Sequence, residues 1–221
     1  MKISITFFLV FFLNTVVAQL PKGFVYVKDS IPDIEVELRY CYNNNFVGEN
    51  VDGYEEHVAI LTAEATEALK AVQKELRKQG LSIKIYDSYR PQRAVNHFVR
   101  WAKAVNDTVM KSQFYPEVNK QHLFSSGYIA SKSRHSSGST LDITIVDKKT
   151  GEELDMGSPF DFFGKASWVA NKELTKEQIE NRQLLQKLML ANGFRNYPKE
   201  WWHFTLRNEP YRNQYFDFVV E

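Results

Sequence analysis

The stretch Ser133-Arg134-His135-Ser136-Ser137-Gly138-Ser139-Thr140-Leu141-Asp142 decides the fold of this chain, together with a second, Glu200-Trp201-Trp202-His203. In the first, Ser136-Ser137-Gly138 is turn chemistry, and Gly138 is free to take a positive φ. Beyond the turn, Leu141, Ile143 and Ile145 alternate with Asp142, Thr144 and Val146, the period of a half-buried strand. Asp142 therefore leans to the face opposite the apolar set, and the turn folds His135 back beside that strand. Residues seven apart in sequence can then meet at one point. In the second stretch, Glu200 and His203 are three apart, which on a regular strand puts them on opposite faces. They share a site only if Glu200 sits in the turn before the strand or on a bulge, and Asn196-Tyr197-Pro198 just upstream is such a turn.

Together the two stretches supply two imidazoles, a carboxylate of metal-ligand type and a spare carboxylate. That is the inventory of a catalytic zinc site: three protein ligands, an open position for water, and a base to work on that water. Each half alone has a plainer reading. A His with a distant Asp is usually structural, and Glu-Trp-Trp-His is usually a packed aromatic strand with a surface Glu. The combination, in this order, favours the metal site.

The chain has 221 residues, a net charge of +1, 43% apolar residues and 14% aromatics, which suits one domain with a real core. The near-neutral balance gives no support for a nucleic-acid partner, and a small polar substrate is the more natural expectation. Met1-Lys2, the apolar run over residues 3–17 and the small residues of Val16-Val17-Ala18 read as an export leader cleaved after Ala18. The run is short for a membrane span of about 20 residues, so no stable membrane insertion is expected once it is removed. The expectation is a signal peptide over residues 1–18 and one domain over residues 19–221, periplasmic or secreted. A single cysteine, Cys41, allows no internal disulfide and reads as a small buried hydrophobe.

Residues 24–27 and 34–40 read as short strands. A loop from Asn43 to Tyr54 follows, whose Phe46, Gly48 and Tyr54 either rim a pocket or pin the loop to the core, the reading that the spacing favours. Thr62 caps a helix that runs to Gln79 and ends at Gly80, with Leu69, Val72 and Leu76 as its apolar stripe. Lys70, Lys74, Arg77 and Lys78 read as its solvated face. Residues 81–86 alternate as a strand and lead through Asp87-Ser88-Tyr89-Arg90-Pro91 into a helix from Gln92. Arg90, at that junction, either pairs with a core carboxylate or points into a site, where it could bind a substrate carboxylate or polarise a carbonyl oxygen. His97 and Trp101 read as packing, and His57 and His122 as surface histidines. Residues 106–130 are polar with scattered aromatics and read as a flap or cover. Within residues 153–163, the run from Asp155 to Phe163 forms an aromatic loop with two acids that either caps the core or lines a pocket. Thr175 and Gln178 form a capping box for a helix ending near Ala191, with Gly193 as its stop. The aromatic tail over residues 211–220 is expected to pack back on the domain.

The pattern Ser133…His135…Gly138…Asp142, with Glu200-Trp201-Trp202-His203 and Tyr89-Arg90-Pro91, resembles the VanX-type D-alanyl-D-alanine dipeptidases. These zinc enzymes are related to the D-Ala-D-Ala carboxypeptidases and the Hedgehog signalling domain. The likeness runs from about Phe24 to the Tyr-Phe-Asp-Phe run at 215–218 and includes Asn45-Phe46-Val47-Gly48, Val51-Asp52-Gly53-Tyr54, Gly127-Tyr128 and Met156-Gly157. The resemblance implies an α+β fold, a small antiparallel sheet carrying the zinc with helices packed around it. It implies one Zn2+ on His135, Asp142 and His203, Glu200 as general base, and Arg90 stabilising the oxyanion. It places Asp87, Ser133 and Tyr40 near the ends of the substrate, with Asp87 at the free amino end and Ser133 at the free carboxylate. The implied activity is hydrolysis of D-Ala-D-Ala in cell-wall peptide metabolism. One departure is the leader, since the best-known family members act in the cytoplasm.

Three rival functions follow from the same residues. A carboxypeptidase would trim longer wall peptides by the same chemistry in a more open site. Two His and one carboxylate also suit a non-haem iron oxygenase, although the wide spacing of His135 and Asp142 and the base-like Glu200 count against it. A non-catalytic wall-peptide binding module would have a broken site, yet all four key positions are filled.

Overall fold

The alternating runs at Leu81–Asp87 and Thr140–Asp147 pair antiparallel near the middle of a five-stranded sheet. The computed structural model describes residues 19–221, and the leader expected over residues 1–18 lies outside them. In chain order the strands are β1 (Phe24–Tyr26), β2 (Glu35–Val36), β3 (Ile60–Thr62), β4 (Leu81–Asp87), β5 (Thr140–Asp147), β6 (Phe194–Tyr197) and β7 (Glu200–Leu206). The helices are α1 (Val27–Ser30), α2 (Ala63–Arg77), α3 (Gln92–Lys103), α4 (Lys111–Phe114) and α5 (Lys176–Ala191). The sheet order is β2-β4-β5-β7-β6, antiparallel throughout except for the parallel edge pair β2–β4. β1 and β3 make a separate antiparallel pair. The architecture is the expected α+β one.

Thr62 Oγ1 caps α2 by accepting from Ala65 N at 3.3 Å. Leu69, Val72 and Leu76 are fully buried, each contributing about 1.5–3 kcal/mol of apolar transfer. Lys70, Lys74, Arg77 and Lys78 lie on the exposed side. Gln73 is buried on the inner face. Its Nε2 donates to Ser82 Oγ at 2.8 Å and its Oε1 accepts from Ile83 N at 2.9 Å, which ties α2 to β4 with the amide satisfied at both ends. α5 opens with the expected Thr175–Gln178 capping box and packs against β6 and β7.

Several local expectations are corrected. Residues 34–40 are not one strand. The ladder to β4 ends where Glu37 N donates to Ile85 O, because the next amide, Leu38 N, donates to His57 Nε2 at 2.8 Å. The chain then turns through a 3-10 segment, Arg39–Cys41, that buries Tyr40. His57 is therefore a half-buried acceptor and not a surface group, and Cys41 is half-buried. β1 stops at Tyr26, since Val27 begins α1. β5 is buried on both faces. The face opposite Leu141, Ile143 and Ile145 is roofed by the loop over residues 153–163, whose Phe160 stacks on Tyr86 at 4.7 Å and meets Trp202 edge-on at 5.5 Å.

The tail packs back as expected. Phe218 stacks on Tyr89 with ring centres 3.9 Å apart, and Phe216 N donates to Ser136 O at 2.9 Å.

Candidate metal centre and its cavity

Strand pairing sets Asp142 directly opposite His203 on β5 and β7. His135 reaches the same point from the 3-10 turn Arg134–Ser137. Ser133 Oγ caps that turn by accepting from His135 N at 3.2 Å. Gly138 ends it at φ +79°, a left-handed conformation, and any Cβ there would run into the Phe24 ring, so glycine is required twice over.

The three donors form a tight triangle. His135 Nε2 lies 3.3 Å from His203 Nδ1 and 3.4 Å from Asp142 Oδ2, and His203 Nδ1 lies 3.0 Å from Asp142 Oδ1. A tetrahedral ion with bonds of about 2.0–2.1 Å sets its ligands roughly 3.4 Å apart, so the triangle has the size of one face of such a site. Asp142 Oδ1 is buried without a hydrogen-bond donor, an orphan that a cation satisfies. His135 Nδ1 lies 2.8 Å from Ser88 O and donates to it, which leaves the Nε2 lone pair facing the centre. The residues fit a zinc ion.

Glu200 joins the triangle. Its Oε2 lies 3.4 Å from His203 Nδ1, on the same side of β7, and its side chain is only 15% exposed. Burial pushes its carboxyl up to about 7, against the opposing pull of His203, which puts it in the range of a proton carrier at neutral pH. Burial holds His135 below its ordinary range, so it stays a neutral ligand.

Arg90 takes both roles left open for it. Its Nε donates to Asp87 Oδ2 at 2.8 Å, while the guanidinium lies 3.5 Å from Asp142 Oδ2 and packs 5.2 Å from the Tyr40 ring and 5.1 Å from the Phe98 ring. It still lines the cavity. Asp87 does not. It is completely buried behind Arg90 and accepts also from Tyr54 OH at 2.6 Å, whereas the resemblance places it at a substrate's amino end. Its carboxylate orients Arg90.

The cavity over the triangle encloses about 300 Å³. Tyr40 and Ser133 both line it, as do Gly127, Tyr128, Ile129 and Ala130, the last residues of the segment over 106–130 that is expected to form a cover. One further acid lines the wall, Asp161, which no sequence argument singled out as a site residue. It is 5% exposed, accepts from Tyr40 OH at 2.9 Å, and holds φ +61°. A non-glycine residue in the left-handed region is uncommon and marks a backbone bent to aim a side chain. Burial, with the Asp142 charge, raises its carboxyl well above the ordinary range.

Among known proteins, a peptidase M15 family model described as D-ala-D-ala dipeptidase matches residues 21–221. The D-alanyl-D-alanine dipeptidase of Enterococcus faecium is 39% identical over 199 residues, covering 90% of this chain and 98% of its own length. That of Enterococcus faecalis is 37% identical over 201 residues, covering 91% of this chain and all of its own, 100%. Among solved structures, the LdcB LD-carboxypeptidase aligns over 86% of this chain and 70% of its own at 19% identity, with a TM-score of 0.42. A family match over residues 21–221, on a chain whose strands and 3-10 turn bring His135, Asp142, His203 and Glu200 to one point, places this chain in the D-Ala-D-Ala dipeptidase family of M15 peptidases.

Proposed function

We propose that this protein hydrolyses D-alanyl-D-alanine to two D-alanines using one Zn2+ held by His135, Asp142 and His203. The observation that carries the reading is the donor triangle with Glu200 at its edge, on the floor of a covered cavity of about 300 Å³. Zinc bound there supplies Lewis acidity for the attacking water and the scissile carbonyl. Glu200 takes a proton from that water and delivers it to the leaving amine. Arg90, held by Asp87, faces the oxygen on which negative charge develops. By analogy with losing one oxyanion donor, its contribution is about 3–4 kcal/mol.

The two ends of a dipeptide need one anion and one cation in the walls. Asp161, with Tyr40 beside it, is suited to the free ammonium, because an arriving cation offsets both causes that hold its carboxyl high. Ser133 and the neighbouring Lys132 and Arg134, which also line the cavity, suit the free carboxylate. The wall-peptide carboxypeptidase is the alternative, with the same chemistry and a longer substrate. The cover over residues 127–130 favours the dipeptide.

We infer that residues 1–18 are a cleaved export leader, from the Met1-Lys2 start, the apolar run and Val16-Val17-Ala18. N-terminal sequencing of the protein from fractionated cells checks it, and a mature end other than Gln19 contradicts the cleavage site.

The functional test is amino-acid release from D-Ala-D-Ala and, in parallel, from a pentapeptide ending in D-Ala-D-Ala. Cleavage of the dipeptide alone supports a dipeptidase, release from the pentapeptide moves the reading to a carboxypeptidase, and silence on both overturns it.

A further inference from the structure

The cover over the cavity is fastened to the turn that precedes the catalytic strand. Lys199, between β6 and β7 and next to Glu200, donates from Nζ to Ser126 O at 2.6 Å. Tyr197 OH donates to Gly127 O at 3.2 Å, so two consecutive carbonyls of the cover are held from one turn. Lys199 Nζ also lies 5.7 Å from the centres of the Tyr128 and Trp168 rings, and Trp168 Nε1 donates to Tyr128 OH at 3.3 Å. Among the described residues, Lys199 makes no ion pair with a carboxylate. Its charge is spent on the cover: a charge-assisted bond to a carbonyl and two aromatic faces. The root of the same segment is fixed separately, since Lys120 is buried, donates to Asp107 O at 2.6 Å and sits 3.9 Å above the Trp101 ring.

Gly127, Tyr128, Ile129 and Ala130, which continue the chain from the Ser126–Gly127 anchor, line the cavity. Held at that anchor, this part of the wall limits the length of what the cavity accepts. A peptide longer than two residues has to displace it, and of the two bonds that resist displacement the charge-assisted one is from Lys199. We propose that Lys199 is a specificity-determining residue, holding the cover shut through the Ser126 carbonyl and so confining hydrolysis to dipeptides. The inference rests on the peptidase reading above.

The test compares kcat/KM for D-Ala-D-Ala with kcat/KM for the pentapeptide ending in D-Ala-D-Ala. Lys199→Met keeps the aliphatic stem against the two rings and removes the donor. Lys199→Arg keeps a cationic donor. The pentapeptide-to-dipeptide ratio should rise at least about tenfold in Lys199→Met, the scale on which one set of pocket contacts discriminates, and stay near the wild-type value in Lys199→Arg. Limited chymotrypsin cleavage after Phe124, an exposed residue of the cover, should quicken in Lys199→Met alone. An unchanged ratio in Lys199→Met overturns the proposal. Should that variant not fold, Tyr197→Phe loosens the neighbouring strap and must raise the same ratio, or the proposal falls. A wild-type protein that hydrolyses neither substrate brings down the peptidase reading and this inference with it. A wild-type protein that cleaves the dipeptide, with no shift in the variants, brings down this inference alone.

Discussion

Glu200 Oε2 lies 3.4 Å from His203 Nδ1 although three residues separate the two along one strand. A regular strand would set them on opposite faces. The β6–β7 pairing slips between them: Asn196 faces Phe204, whereas Tyr197 faces Glu200. The bulge turns Glu200 to the side of the metal ligands, and one short stretch thereby carries both a ligand and the proposed base.

Glu200→Gln keeps the shape of that side chain and removes its proton affinity. The variant should fold and bind zinc as the wild type does, with kcat on D-Ala-D-Ala lower by about 10²–10⁴. Metal analysis and steady-state kinetics on the same sample check this, and retained turnover removes Glu200 as the base.

Asp161 is expected to act on binding. Asp161→Asn should raise KM for D-Ala-D-Ala by about 10–100-fold, the scale of one charge-assisted hydrogen bond, with a smaller effect on kcat. N-acetyl-D-Ala-D-Ala, which has no ammonium, should be a poor substrate for wild type and variant alike. Equal handling of the free and acetylated dipeptides by the wild type contradicts this assignment.

Glu209 holds the turn that carries His135. Its side chain is fully buried and accepts from Ser137 Oγ at 2.7 Å and Arg134 Nη1 at 3.0 Å. Glu209→Ala leaves Ser137 Oγ only the Arg134 carbonyl and Arg134 Nη1 only the Arg212 carbonyl, removes the charged acceptor that joins them, and should cost about 1–3 kcal/mol. In a domain of this size that lowers Tm by roughly 2–4 °C per kcal/mol. Zinc affinity should fall by about 10–100-fold, as for loss of an outer partner of a ligand. Calorimetry of the metal-free protein and zinc competition separate the two effects, and unchanged zinc affinity shows that Glu209 serves the fold alone.

Asp33 gives an acid-side dependence of stability. It accepts from Arg77 Nε at 2.8 Å and Lys148 Nζ at 3.1 Å. The Arg77 guanidinium, with Lys148 adding to it, holds the carboxyl well below its ordinary value of about 3.9 in the unfolded chain. The unfolded state therefore binds the proton first, so this contribution is present above about pH 4 and fades as pH falls toward the folded value. The group is partly exposed and screened, which limits the effect to about 1 kcal/mol or less. Urea unfolding should show Asp33→Asn less stable than wild type at neutral pH and the gap narrowing below about pH 4. A gap that stays constant across this range contradicts the pairing.

The parts of the fold with a local chemical cause were legible in the sequence. Ser136-Ser137-Gly138 required a turn, Leu141, Ile143 and Ile145 required a strand, and Thr175 with Gln178 required a helix start. The need for Glu200 and His203 to face one way implied the bulge at their head. What was not legible depended on partners distant in sequence. Leu38 leaves the strand because His57, nineteen residues on, takes its amide. Asp87 and Arg90 are three apart, and nothing in that spacing told that burial would commit the acid to the arginine. Asp161 sits in a loop without periodicity, at a backbone angle for which its residue type gives only a weak signal.

Stepwise addition of zinc to the metal-free protein, with D-alanine release from D-Ala-D-Ala followed at each step, decides whether a single ion on His135, Asp142 and His203 drives the reaction. Turnover should be absent without metal, rise linearly with added zinc, and level off at one zinc per chain, a plateau that Asp142→Asn abolishes. Turnover by the metal-free protein, or a plateau reached only with a second ion, would contradict a single catalytic ion.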